Sequence, residues 1–100
     1  MTINFIHTKG VLENAFRKDS FRHLEVIYAS GSTGAISIYF AAEGDIVDMD
    51  KIILTVNKDF MHIVADSIKK SISSPGDSVV ELGAKKGIFR QMISLTHVPG

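Results

Sequence analysis

The chain has no cysteine. That excludes a disulfide framework, a thiolate metal site and a cysteine nucleophile together, and it suits a reducing cytoplasm without requiring one. Net charge is missing as well: eleven lysines and arginines balance eleven aspartates and glutamates, a formal +0 with neutral histidines. Domains that hold a phosphate backbone carry a basic excess, so a nucleic-acid partner is not expected. Zero net charge also removes the repulsion that keeps copies apart, which favours self-association. Long apolar runs are lacking too. The longest, such as Ile38 to Ala42 and Ile52 to Leu54, fall far short of the roughly 20 residues of a membrane-spanning helix, so no membrane partner is expected. The opening Met1-Thr2-Ile3-Asn4-Phe5-Ile6-His7 has neither the basic start nor the apolar stretch of a signal peptide. These absences fit a soluble chain and leave its compartment open.

What is present suffices for one core. At 100 residues, 45% apolar and 22% charged, the composition is that of a globular protein, and two separate cores would each be near the lower size limit. A single domain over 1–100 is expected. Ile3 and Phe5 alternate with polar neighbours as a short strand, and the Val11, Leu12, Ala15, Phe16 spacing predicts a short helix over about 10–18. Leu24, Val26 and Tyr28, then Ile36, Ile38 and Phe40, alternate as two strands. Between them Ser30-Gly31-Ser32-Thr33-Gly34 supplies the turn of an antiparallel hairpin. Lys51 to Val56 is rich in β-branched residues and predicts another strand. Asn57 is a good N-cap, and Phe60, Val64, Ile68 and Ile72 recur every fourth residue, so the main helix is placed at about 57–73 and stopped by Ser74-Pro75-Gly76. Val79 to Leu82 and Ile88 to Val98 flank Gly83-Ala84-Lys85-Lys86-Gly87 as a second hairpin. The expected fold is α+β: a two-layer sandwich with one mostly antiparallel sheet of five or six strands packed by the main helix.

Candidate chemistry is sparse. Four histidines, His7, His23, His62 and His97, are scattered without ligand spacing such as H-E-x-x-H. Two of them with a lysine or carboxylate would make a general acid/base pair for phosphodiester cleavage, whereas His62 and Asp66, four apart on one helix face, read as a solvated pair. The acids Glu43, Asp45, Asp48 and Asp50 lack the alternation, glycine and closing glutamate of a calcium loop. Gly31-Ser32-Thr33-Gly34 leads into a strand, whereas a phosphate-cradling loop opens a helix. Lys85-Lys86-Gly87-Ile88-Phe89-Arg90 lacks the aromatics that an RNA-stacking strand needs where Ile88 and Arg90 stand. A lysine-rich hairpin tip that keeps an edge from pairing accounts for it. No catalytic residue, cofactor or metal site is assigned.

The last strand reads as an interface. Phe89, Gln91, Ile93, Leu95 and His97 share one face, and the other face is also partly apolar, so one helix leaves a sheet side for a partner. Lys85, Lys86, Phe89, Arg90, Gln91, Ile93 and Leu95 are the candidate contact residues.

Taken in order, the strand Lys51-Ile52-Ile53-Leu54-Thr55-Val56, the helix around Phe60 to Ile68, Val79-Val80-Glu81-Leu82 and Met92-Ile93-Ser94-Leu95 resemble small structural proteins of tailed marine phages. The resemblance implies a protein that assembles as a multimer and catalyses nothing. The first expectation is therefore a non-enzymatic association or structural module, self-assembling through its sheet. One rival is a small immunity-type inhibitor, its acidic first half (4 basic, 7 acidic residues in 1–50 against 7 and 4 in 51–100) facing a basic partner protein. The other is a histidine-dependent hydrolase or nuclease.

Overall fold

The structure is a computed structural model that describes residues 1–7, 13–28, 31–41, 49–82 and 92–98. Within them lie seven strands and one main helix: β1 (Thr2–His7), β2 (Glu13–Arg17), β3 (Phe21–Tyr28), β4 (Thr33–Ala41), β5 (Met49–Asn57), α1 (Met61–Ser73), β6 (Ser78–Leu82) and β7 (Met92–Val98). Short 3-10 turns, Lys18–Ser20 and Lys58–Phe60, lead into β3 and α1. The fold is α+β, but the strands form two sheets: a three-stranded sheet in the order β2-β1-β6 and a four-stranded sheet in the order β3-β4-β5-β7.

The alternation in β4 explains the second sheet. Gly34, Ile36, Ile38 and Phe40 are buried on one face, opposite Leu24 and Val26 of β3 and Ile52, Leu54 and Val56 of β5. The expected hairpin is there, with Tyr28 paired to Gly34 and Gly31 at φ 103°, a conformation glycine adopts without steric cost. In the first sheet Ile3, Phe5, Phe16 and Val80 point to the same core. Aromatic rings join the two sheets: Phe40 stacks on Phe16 with centroids 4.4 Å apart, and Phe5 and Phe21 meet Phe40 edge-on at 6.3 and 6.0 Å.

The helix closes this core with Met61, Val64, Ala65 and Ile68. It starts later than its apolar spacing suggests, because Asn57 caps the preceding 3-10 turn instead, its Oδ1 accepting from the Asp59 amide at 3.1 Å. At the other end the Ser74 amide donates to Lys70 O at 2.9 Å, and the chain turns through Gly76 at φ 80°.

Three expectations are corrected. Residues 13–17 of the expected short helix are strand β2, because antiparallel pairing with β1 satisfies the backbone while alternation alone turns Phe16 inward and leaves Ala15 and Arg17 outside. The single sheet of five or six strands is two sheets. Among the described residues the two arms of the expected second hairpin do not pair with each other: β6 runs parallel to β1, pairing Val80 with Phe5, and β7 runs antiparallel to β5, pairing Leu95 with Leu54. A glycine and lysine turn permits many connections, and burial of Val80 beside Phe5 and of Leu95 beside Leu54 selects the partners.

The helix and the β4 backbone meet at Gly34. A side-chain carbon there would fall on the Met61 thioether and lie 2.9 Å from Ile27 O. Gly34→Ala is expected to destabilise the domain by about 1–3 kcal/mol, seen as a lower urea midpoint with unchanged slope.

Candidate interaction face and side-chain networks

The face of the four-stranded sheet turned away from the core is built by the odd-numbered positions of β3 to β5. They carry His23, Glu25 and Ile27 on β3, Ala35, Ser37 and Tyr39 on β4, and Lys51, Ile53 and Thr55 on β5, with Ser94, Thr96 and Val98 added from β7. Register brings His23, Tyr39 and Lys51 into one row, with Glu25 in the next. The His23 ring stacks on Tyr39 at 4.2 Å with an interplanar angle of 14°, and from the other side Lys51 Nζ lies 5.6 Å from the Tyr39 ring centroid. Tyr39 Oη donates to Glu25 Oε2 at 3.3 Å, and Glu25 Oε1 lies 3.5 Å from His23 Nε2. Ser37, in the shelter of this row, is only 3% exposed.

The His23 ring covers one flat side of Tyr39. Partial burial and then the Glu25 carboxylate, through its charge and the hydrogen bond, hold the Tyr39 phenol above its ordinary value of 10.0.

A second network joins the 3-10 turn after β2 to the C-terminal end of α1. Lys18 Nζ donates to Ser74 O at 2.9 Å, to Ser74 Oγ at 3.3 Å and to Ser78 Oγ at 2.8 Å. Lysine beside serines invites a nucleophile reading, but the protons run the wrong way. Both the Ser74 and the Ser78 hydroxyls donate to Ser71 O, at 2.9 and 3.0 Å, while the lysine donates into their lone pairs. A general base must accept the hydroxyl proton. The arrangement is that of an ammonium group at a helix C-terminus, where its charge is stabilising. Nearby, Thr2 donates to Asp77 Oδ1 through its amide at 2.8 Å and its hydroxyl at 3.2 Å, which ties the start of β1 to the lead-in of β6. A surface depression of about 140 Å³ lined by Met1, Arg17, Lys18 and Asp19 is well below the roughly 300–1,000 Å³ of small-molecule sites.

The residues singled out in the sequence do not converge. His23 lies on the outward sheet face and His62 on α1, where it shares a short hydrogen bond with Tyr28 Oη. No contact with Asp66 accompanies it among the described interactions. His7 and His97 belong to β1 and β7, in different sheets. Among the described residues no group of three or more histidines, aspartates and glutamates can hold a metal ion, and no helix is long and apolar enough to cross a membrane. Glu43, Asp45 and Asp48, and of the expected contact residues Lys85, Lys86, Phe89, Arg90 and Gln91, lie outside the described residues. Ile93 lies in β7, and Leu95 packs half-buried against the core, so the side of β7 that faces outward is Ser94, Thr96 and Val98. Alternation in β3, β4 and β5 already marked the outward row, but the register that puts His23, Tyr39 and Lys51 side by side is not visible in any single strand. No family model matches the chain, and no curated protein or solved structure matches it.

With Tyr28 replaced by phenylalanine, absorbance titration follows Tyr39 alone. Its phenolate is expected to form above the ordinary pH, and Glu25→Gln to move that midpoint part of the way down, leaving the share due to burial. The raised value holds stability in full below about pH 10 and loses it as pH rises toward the folded-state value, so Glu25→Gln also lessens that alkaline loss.

Proposed function

We propose that this protein is a non-enzymatic association module that assembles with copies of itself through the outward face of its four-stranded sheet. The observation that carries this reading is the surface left on that face. Ile27 is 48% exposed and Val98 40%, Ala35 and Ile53 are half-buried between them, and every described element packed on the sheet lies on the opposite side. Scattered exposed apolar residues need no explanation, but these four form a diagonal across one pleated face, which offers burial to a partner. Zero net charge supports a partner of the same kind, since copies do not repel. The resemblance to small structural proteins of tailed marine phages points the same way. Against catalysis stands the lysine and serine network, whose protons are committed to carbonyls.

Light scattering coupled to size-exclusion chromatography, run over a wide concentration range, tests this reading. A dimer or larger closed assembly that dissociates on dilution is the expected result. A clean monomer at the highest concentration overturns it.

A further inference from the structure

We infer that the assembly is a two-fold dimer whose axis runs along β4, with Glu25 of each copy meeting Lys51 of the other; this rests on the association reading above. Two sheets packed face to face about such an axis lay β3 of one copy over β5 of its partner. Glu25 is in register with Ser37, and Ser37 with Ile53, so the carboxylate of one copy comes to lie over Ile53 of the other. Lys51 is the next residue on the same face of β5, about 6.6 Å along the strand, and packed sheets are about 10 Å apart. Long side chains of opposite charge span that distance. The anion on β3 and the cation on β5 lie on opposite sides of β4, so one symmetry operation satisfies both, as a self-complementary interface requires. Tyr39 then sits near the axis, and Ile27 and Ile53 fall within the covered area. With the axis on β4, only β3, β4 and β5 of the two copies overlap, while β7 lies beyond the partner's β3 edge. Three strands of about eight residues present roughly 400 Å² in projection, well below the standard protein interface, so a weak, concentration-dependent dimer is expected.

The test is a charge-swap mixing experiment on the full chain. Glu25→Lys alone and Lys51→Glu alone each place like charges opposite one another twice, and each is expected to raise the dimer dissociation constant by about tenfold or more. Mixed in equal amounts, the two variants make both contacts attractive, and a heterodimer is expected where neither variant dimerises alone. Loss of contacts within each chain cannot produce that recovery, because mixing leaves each chain's own sequence unchanged. Circular dichroism and urea midpoints establish that both variants fold. Variants that dimerise as the parent does, or that remain monomeric when mixed, overturn the Glu25 to Lys51 pairing while leaving association through another surface. A parent chain that never dimerises overturns the association reading itself.

Discussion

Phe16 and Phe40 stack in nearly parallel planes 11° apart, and this pair is where the two sheets of the molecule meet. Phe16 comes from the three-stranded sheet and Phe40 from the middle of the four-stranded one, with Phe5 and Phe21 edge-on around the pair. Sheets of three and four strands each have one apolar face to bury, and a single 13-residue helix is too small to cover both. Packing the sheets against each other at the aromatic cluster, with α1 filling the remaining side, solves that problem. The burial of Ile3, Ile36, Ile38, Ile52, Leu54, Val64 and Ile68 follows from it.

The same arrangement sets what is left for function. With the core face of the four-stranded sheet occupied by α1 and the aromatic cluster, its other face carries a set of interacting side chains. The row of His23, Tyr39 and Lys51 is held across three strands by stacking, by a cation over a ring and by Glu25 beneath the phenol. These are modest interactions at an exposed surface, each worth tenths of a kcal/mol to about 1 kcal/mol. Their larger effect is to order long side chains, which would lower the entropic cost of the association proposed for this face. The Lys18 network serves a different end. Two serine hydroxyls, the carbonyls of Ser71 and Ser74 and a lysine satisfy one another at the end of α1, and so anchor the chain that turns back into β6.

Legibility from sequence was uneven for physical reasons. The β3 and β4 hairpin, strand β5 and the body of α1 were readable because each has a strong local period and clear end signals. Residues 13–17 were misread as helix because four apolar residues at spacings of one and three fit a helical stripe and leave a strand's alternation hidden. The partners of β6 and β7 were misread because turn residues report only that the chain bends. Leu95 shows the consequence at the candidate site: its face was chosen as an interface from alternation alone, yet pairing with Leu54 turns it toward the core.

The sequence by itself determined the class of molecule: a cysteine-free, charge-balanced α+β chain. It also determined which residues alternate within each strand, since that depends only on the two-residue period of the pleat. Only the tertiary structure decided how the strands divide between two sheets, because pairing is selected by the burial of residues far apart in the chain, such as Phe5 with Val80 and Leu54 with Leu95. For the same reason it alone placed His23, Glu25, Tyr39 and Lys51 in one patch: their proximity is a property of register between strands, and register is set by the shared core beneath them.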